Sequence, residues 1–162
     1  MNEGAKASRG EVLLFLHADT QLPDDAKTRI DMALADRWVV GGRFDVRFDR
    51  PSMWGTIISR MINWRSILSG LATGDQALFV RRSIFEQMRG FADMPLMEDI
   101  EFSRRLKQNG ATAALTATVI TSFRRWEQQG PLRTILLMWT LRFLYWIGMS
   151  PHTLSRWYGS VR

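Results

Sequence analysis

The sequence contains 162 residues, of which 46% are hydrophobic and 23% are charged. This composition is that of one folded globular domain, and it excludes a disordered chain, a collagen and a bare coiled coil. Lys and Arg number 22 against 16 Asp and Glu, and the formal charge of +6 favours an anionic partner such as nucleic acid, a phosphorylated substrate or a membrane surface. The absence of cysteine excludes disulfides, thiolate zinc sites and thiol nucleophiles, and the lack of an apolar signal segment at the start predicts a cytoplasmic protein.

Strand and helix patterns alternate through the first half of the chain. The continuous apolar run at 12–16 predicts a strand covered on both faces, as in a parallel sheet. A helix is expected after Pro23, and alternating apolar residues predict a half-buried strand over 42–48. Apolar residues return at helical spacing from Met53 to Leu68, and we assign the aromatic and methionine side chains of this helix to the core.

The same alternation continues to residue 123. A short strand is predicted at 77–80, followed by a short helix at 84–89. A longer helix is expected to begin at Glu98, where acidic residues suit the helix dipole, and to end at Gly110. Residues 113–123 are rich in β-branched side chains and predict another strand. The pattern as a whole is typical of an α/β domain.

Residues 132–147 form the most apolar run, but Arg133 and Arg142 lie within it. The run is shorter than the roughly 20 residues that a helix needs to cross a bilayer. At 100° per residue the two arginines fall on opposite sides of a helix, so no clean amphipathic stripe is predicted. The pattern indicates a helix packed on the domain or lying partly in a membrane interface, and we expect Leu132 to Tyr158 to associate with the inner face of the membrane.

A possible ligand site follows the first predicted strand, at His17-Ala18-Asp19. In open α/β sheets, ligands bind in the crevice beyond the carboxyl ends of the strands. A carboxylate such as Asp19 can hold a hard divalent cation, Mn²⁺ or Mg²⁺, that completes its shell with water and phosphate oxygens. Alternatively, Asp19 only caps the following loop.

Two further groups have the chemistry of a site. Glu98-Asp99 stands at a predicted helix start, where acids serve as caps and dipole partners, or where a carboxylate acts as a general base on a sugar hydroxyl. Arg124-Arg125-Trp126 leaves the end of a predicted strand with two guanidinium groups and an indole. This set can bind pyrophosphate and stack on a ring, or it is a solvated basic pair beside a core tryptophan.

Four blocks of the sequence, taken in order, resemble the family-2 glycosyltransferases, and specifically the bacterial subgroup often labelled arsenosugar-biosynthesis glycosyltransferases. The blocks are GEVLLFLHADT at 10–20, GDQALFV at 74–80, Met97-Glu98-Asp99 with Arg104-Arg105-Leu106, and TSFRRWE at 121–127. The resemblance implies a GT-A fold, in which a mixed sheet is flanked by helices, an inverting mechanism and a divalent metal. It assigns residues 1–131 to a partial GT-A domain and leaves 132–162 as an apolar, basic helical segment.

The resemblance also implies roles for individual residues. Asp19 matches the last acid of the Asp-x-Asp motif that binds the metal on the donor diphosphate, and His17 stands where the first acid is usual. Asp99 matches the catalytic base, with Glu98 beside it. An acceptor-side loop of the family is matched by Gly74, Asp75 and Gln76. The family's Arg-Trp element near the diphosphate is matched by Arg124, Arg125 and Trp126.

The resemblance further implies that a part of the family pattern is missing. Family members normally begin with strand-helix-strand units that read the nucleotide base, and this sequence opens just before the metal strand, as an N-terminally truncated transferase would. We therefore expect residues 1–162 to bind nucleotide-sugars poorly and to show little or no transferase activity. We also expect the strand at 12–16 to have an unpaired edge.

The leading functional hypothesis is a transferase that moves a sugar from a nucleotide-diphospho-sugar to an acceptor hydroxyl. The alternative is a catalytically inactive binding or membrane-surface module. Nucleic-acid binding is disfavoured, because the positive charges are dispersed and no recognisable binding motif is present.

Overall fold

A computed structural model describes residues 1–161, with side chains to residue 159. The described chain is a mixed α/β fold with one five-stranded sheet. The strands are β1 (Val12–Phe15), β2 (Thr20–Gln21), β3 (Val39–Phe48), β4 (Leu78–Arg81) and β5 (Ala111–Thr121). The helices are α1 (Asn2–Ala7), α2 (Ala26–Leu34), α3 (Met53–Ser69), α4 (Arg82–Gln87), α5 (Glu98–Asn109), α6 (Arg124–Gln129), α7 (Pro131–Trp146) and α8 (Pro151–Val161).

The order of strands across the sheet is β1-β4-β3-β5-β2. β3 and β5 are parallel, whereas β4 runs antiparallel to both β1 and β3, and β2 runs antiparallel to β5. It follows that β1, β3 and β5 point in one direction, so that their carboxyl ends lie at the same edge of the sheet. We refer to this edge as the carboxyl edge.

The first predicted strand is present, but its pairing differs from the expectation. Leu13 and Phe15 pack in one apolar cluster and Val12 and Leu14 in another, so the strand is covered on both faces as predicted. Its neighbour is antiparallel, however, and among the described residues β1 pairs with β4 alone at one end of the sheet. The expectation that β1 lies in a parallel part of the sheet is therefore wrong. The expectation that β1 has an unpaired edge is confirmed.

The other elements predicted up to residue 123 are found with small shifts in their ends. The strand expected at 42–48 begins earlier, at Val39, and the strand expected at 113–123 is Ala111–Thr121. Helix α1 was not predicted from the sequence, and the side chain of Asn2 fixes it to the chain at Phe91. The amide of Asn2 donates to the Phe91 carbonyl and accepts from the Phe91 N–H, each at 2.9 Å.

Helices cover the sheet on both faces. On one face, aromatic side chains of α4, α5 and the segment between them pack on Leu13 and Val80, and the rings of Phe91 and Phe102 stack at 4.3 Å. On the other face, Ile30 of α2 belongs to a cluster that contains Phe44, Val46, Phe79 and Val119. The two clusters contain apolar residues from every strand except the short β2.

Two glycines allow the central strands to approach one another closely. A Cβ added at Gly41 would lie 2.5 Å from the Phe79 carbonyl oxygen, and one at Gly42 would lie 2.3 Å from the Ala113 carbonyl oxygen. Real Cβ atoms do not occupy such positions, so β3 fits between β4 and β5 only because these side chains are absent.

Helix α3 is attached to the sheet by one amide side chain. Asn63 accepts a hydrogen bond from the Val46 N–H at 2.9 Å and donates one to the Val46 carbonyl at 3.0 Å. β4 pairs with β3 only at Gly41 and Gly42. At Val46, further along β3, the Asn63 amide bonds to the backbone N–H and carbonyl in the way that a neighbouring strand would. This contact fixes the position of α3 along the carboxyl half of β3.

The sheet curls, because a short segment joins its two outermost strands. β1 ends at Phe15 and β2 begins at Thr20, so only residues 16–19 connect them. Five Cα steps span at most roughly 17 Å, whereas the outer strands of a flat five-stranded sheet are roughly 19 Å apart. The segment is also turned, since the Thr20 N–H donates to the His17 carbonyl at 3.1 Å. The two edges therefore approach each other on the side where β1 and β5 end.

The last two helices pack on the beginning of α5. Leu141 of α7 and Leu154 of α8 are buried with Met97 in a separate cluster. The opposite side of α7 carries exposed apolar residues, so this helix is apolar on both sides. None of the helices in the described part of the chain is both long and apolar enough to span a membrane.

We predict that Gly42→Ala destabilises the protein by about 1–3 kcal/mol, the usual cost of inserting a methyl group into a filled interior. The added Cβ meets the Ala113 carbonyl oxygen and the Phe79 ring, neither of which can move without shifting a strand. Chemical denaturation measures the change in the free energy of unfolding. Gly4→Ala is the matched control, because no atom lies within 4 Å of its Cβ position and alanine is favoured in a helix. Equal stability of the two variants would contradict the close strand approach.

Candidate functional site

A cavity of about 290 Å³ opens at the carboxyl edge. Residues that follow β1 and β5 form one side of it, the loop before β4 and the start of α5 form its floor, and α3 and α7 form the other side. A second cavity of about 650 Å³ adjoins it on the side of α1 and β1, and the two share His17, Gly74, Asp99 and Arg142. The position agrees with the rule that ligands of α/β sheets bind beyond the carboxyl ends of the strands.

The structure brings most of the predicted site residues to this cavity. The predicted residues that line it are His17, Asp19, Gly74, Asp75, Asp99, Arg125 and Trp126. Glu98 lines only the adjoining cavity. Arg124 is exposed outside both, and Gln76 is fully buried beneath the loop that carries Gly74. Separate segments of the sequence therefore converge on one place.

The carboxylate of Asp99 is held by two backbone donors. The Gly74 N–H donates to Oδ2 at 2.9 Å, and the Ile100 N–H donates to Oδ1 at 2.7 Å. Burial of the carboxylate raises the pKa of Asp99, and the negative charge of Asp75 acts in the same direction. The two hydrogen bonds and the charge of Arg142 oppose this shift without cancelling it. Asp99 is therefore a more basic carboxylate than an exposed one.

The loop before β4 is fixed by its own side chains. Gln76 Oε1 accepts from the Thr73 N–H at 3.2 Å and from the Thr73 hydroxyl at 3.3 Å, and its amide donates to the Ser66 hydroxyl of α3 at 3.0 Å. Gln76, predicted as an acceptor-side contact, lies in the described structure as a buried support of the loop. Its neighbour Ala77 has a φ of 47°, and Met97, on the other side of the site, has a φ of 68°. Non-glycine residues in this region cost roughly 1–3 kcal/mol each and cluster at functional sites.

His17 and Asp19 occupy the exposed rim of the cavity. The His17 ring lies against Gly74, because a Cβ at Gly74 would be 2.5 Å from His17 Nε2. The chain after Asp19 is tied to β5, where the Thr20 hydroxyl donates to the Thr121 hydroxyl at 3.0 Å. The rim is thus anchored on both sides of Asp19.

Arg65 and Arg142 line the cavity and were not among the residues predicted from the sequence as site residues. Burial, followed by the charge of Arg142, lowers the pKa of Arg65 to about 10, so its guanidinium stays charged at neutral pH. Its Nη atoms donate to the Leu71 carbonyl at 3.3 Å and the Thr73 hydroxyl at 3.4 Å. Within the described residues, the buried atoms Arg65 Nε and Asp75 Oδ1 have no hydrogen-bond partner. Both belong to side chains that border the cavity, where a ligand would complete their bonding.

The element that follows β5 contributes a third cation. The guanidinium of Arg125 lies over the ring of Tyr158 of α8, 5.1 Å from its centroid, and the Trp126 ring packs edge-on against Phe48 at 6.0 Å. These aromatic contacts orient Arg125 and Trp126 toward the same cavity that Arg65 and Arg142 border from α3 and α7. The cavity therefore combines cations from three elements with the carboxylates of Asp19, Asp75 and Asp99.

The residues at the rim fit a divalent cation that is held partly by a substrate. Asp19 supplies a carboxylate and His17 an imidazole, and both line the cavity from its exposed side. In residues 1–161 no group of three or more His, Asp or Glu side chains is spaced to hold a metal ion. A cation with one or two protein ligands needs phosphate oxygens and water for the rest of its shell, which is the usual mode of Mg²⁺.

No protein-family model matches the sequence, and no curated protein matches it. The chemistry of the cavity and the resemblance of the sequence motifs are therefore what point to a function.

We predict that Asp99 titrates above the ordinary aspartate value of 3.8, because its burial disfavours the charged form. When the pKa of a carboxyl group is higher in the folded protein than in the unfolded chain, its ionised form destabilises the folded protein. The free energy of unfolding that is lost in this way is regained as the pH falls through the folded-state pKa and the group takes up a proton. The difference in stability between the wild type and Asp99→Asn should therefore shift in favour of the wild type as pH falls through that range. Carbon-detected NMR of the Asp99 carboxyl measures the midpoint directly, and a value at or below 3.8 would contradict the prediction.

Proposed function

We propose that the cavity at the carboxyl edge is the site of an inverting, metal-assisted glycosyltransferase on a GT-A fold. The observation that carries the proposal is the convergence of a buried carboxylate, Asp99, with guanidinium groups from three elements and with Asp19 at the rim. A sugar transfer needs a base for the acceptor hydroxyl and positive charge for the departing diphosphate, and the cavity offers both. The resemblance of the sequence motifs supports the same assignment.

On the acceptor side, Asp99 acts as the base. The acceptor hydroxyl oxygen forms a bond to the anomeric carbon of the donor sugar, while the bond from that carbon to the diphosphate oxygen breaks on the opposite face. The diphosphate leaves with the bonding electrons, and Asp99 takes the hydroxyl proton. The N–H groups of Gly74 and Ile100 hold both oxygens of the carboxylate, and desolvation makes it more basic, so it is oriented and tuned for this step.

On the donor side, the residues at the rim bind the leaving group. Asp19, with His17 beside it, holds the cation, and a bound Mn²⁺ or Mg²⁺ supplies Lewis-acid stabilisation to the diphosphate. Arg125 adds charge from α6, and its stacking on Tyr158 limits its freedom before substrate binds. Trp126 provides an indole edge at the same wall of the cavity.

The second candidate is a binding module without turnover. It is favoured by the exposure of His17 and Asp19, since two solvated ligands hold a metal weakly in the absence of a diphosphate. The two candidates share the donor side of the site and differ in what Asp99 does.

We predict that Mn²⁺-dependent binding of a nucleoside diphosphate to residues 1–162 is weak and depends on Asp19. Asp19→Ala should lower the affinity at least tenfold, because it removes the only carboxylate at the rim that the motif assigns to the metal. Asp24→Ala is the control, since Asp24 is an exposed carboxylate outside the cavity. Isothermal titration with and without Mn²⁺ measures both, and equal affinities of the two variants would exclude the metal role of Asp19.

We predict that Asp99→Asn abolishes sugar transfer but leaves the affinity for the nucleoside diphosphate within about twofold, because a base acts on the acceptor and not on the donor. A transfer assay with a panel of nucleotide-diphospho-sugars and hydroxyl acceptors measures the first quantity, and titration measures the second. Transfer that survives the substitution would refute the base. Nucleoside diphosphate binding without transfer by the wild type would favour the binding module.

A further inference from the structure

Helix α3 presents a continuous apolar stripe to the outside of the molecule. Its residues recur at the spacing of one helix face and range from 36% to 71% exposed, and they are Met53, Ile57, Met61, Trp64 and Leu68. The sequence pattern assigned the methionines and the tryptophan of this stripe to the core, but they are exposed, and Ile58 and Ile62 on the other side of the helix pack inward. The helix is therefore apolar on two sides and covered on one.

Helix α7 has the same two-sided character. Its outward stripe follows one helix face with exposures between 58% and 79%, and consists of Leu132, Leu136, Trp139, Phe143 and Trp146. Its inward side is buried at Thr134 and Leu141. Large exposed apolar side chains at helical spacing on two elements exceed the scattered exposure that is normal for a protein surface.

The two stripes lie side by side at the mouth of the candidate site. Ile62 of α3 and Ile135 of α7 pack against the same cluster, which places the helices next to each other. Met61 and Trp139, one from each stripe, both line the cavity. We call the two stripes together the docking surface, and the cavity opens beside it.

The charge around the docking surface is of one sign. α3, α7 and α8 contain Arg60, Arg65, Arg133, Arg142 and Arg156, and their sequences include no Asp or Glu. All 16 acidic residues of the chain lie outside these three helices. Every charged side chain of the helices that carry the docking surface is therefore a cation, and an apolar surface on such helices is complementary to a membrane with an apolar interior and anionic headgroups.

We propose that the docking surface binds a lipid bilayer that contains anionic lipids, with the mouth of the cavity against the headgroups. The apolar side chains enter the boundary between headgroups and acyl chains, and the tryptophans take the interfacial position that their amphipathic rings favour. The exposed arginines Arg60, Arg133 and Arg156 reach the lipid phosphates with their charged ends. Face-to-face packing of two copies would instead bring cations together with no acidic residue from these helices to pair them. The proposal does not depend on the role of Asp19 or Asp99.

Vesicle flotation with residues 1–162 tests the proposal. The protein should float with vesicles of phosphatidylcholine and phosphatidylglycerol, and its partition coefficient should be at least tenfold lower on phosphatidylcholine alone. Trp64→Glu and Leu136→Glu, one from each stripe, should each lower the partition coefficient on the mixed vesicles at least tenfold. Arg60→Gln, which removes one positive charge, should lower it by about fivefold, because each basic residue near an anionic surface contributes about that factor.

Trp38→Glu is the matched control. Trp38 is 67% exposed and directly precedes β3, so it lies at the edge of the sheet opposite the cavity. Like Trp64→Glu, this substitution replaces an exposed tryptophan with glutamate, but it lies away from the docking surface. It should leave vesicle binding unchanged. Circular dichroism and thermal midpoints close to those of the wild type establish that each variant is folded, as expected for exposed positions.

Three outcomes would overturn the proposal. The first is equal flotation with neutral and anionic vesicles, and the second is a loss of binding in Trp38→Glu as large as that in Trp64→Glu. The third is a wild-type dimer in sedimentation equilibrium that Leu136→Glu converts to a monomer while neither protein floats. That result would assign the docking surface to a second copy of the chain.

Discussion

The four residues between β1 and β2 impose the constraint on which the arrangement of the site depends. They join strands at opposite edges of the sheet, which a flat sheet of five strands could not satisfy, so the carboxyl edge curls. Curling brings the segment after β1 toward the segment after β5, and the bond between the hydroxyls of Thr20 and Thr121 fixes this closure. The carboxylate at position 19 and the guanidinium at position 125 border one cavity as a result, although more than a hundred residues separate them in the sequence.

Inside this cavity, burial favours the neutral forms of the ionisable side chains, whereas hydrogen bonds and nearby opposite charges favour their charged forms. Desolvation raises the pKa of Asp99 and lowers that of Arg65, and thus moves both groups toward their neutral forms. Two N–H donors favour the charged form of the carboxylate, and the Arg65 pKa still stands near 10, so that guanidinium stays charged at neutral pH. A cavity that holds both signs of charge in this way is suited to a reaction in which a proton moves on one side while negative charge departs on the other.

The sequence was sufficient for part of this picture, and the limits have physical reasons. The apolar run at Val12 correctly predicted a strand covered on both faces, but apolarity carries no information on the direction of the neighbouring strand, so its antiparallel pairing was missed. Arg65 was missed because it stands in a helix whose pattern is otherwise apolar, and only tertiary packing turns it toward the cavity. Gln76 was placed with the ligand contacts because motif position does not distinguish a side chain in the cavity from one that supports the loop beneath it. Helical spacing located the apolar residues of α3 but could not tell which side would be covered.

The two-sided helices connect the site to the docking surface. The inward side of α3 is fixed by the two hydrogen bonds of Asn63 to Val46, and the same helix carries Arg65 into the cavity. Its outward side is the apolar stripe, which includes Trp64, one residue from this anchor, and Met61 at the cavity mouth. A rigid helix cannot change the position of one side without changing the other. A contact that orients the outward stripe therefore also bears on the position of Arg65 relative to Asp99 across the cavity, and the two bonds of Asn63 contribute to both.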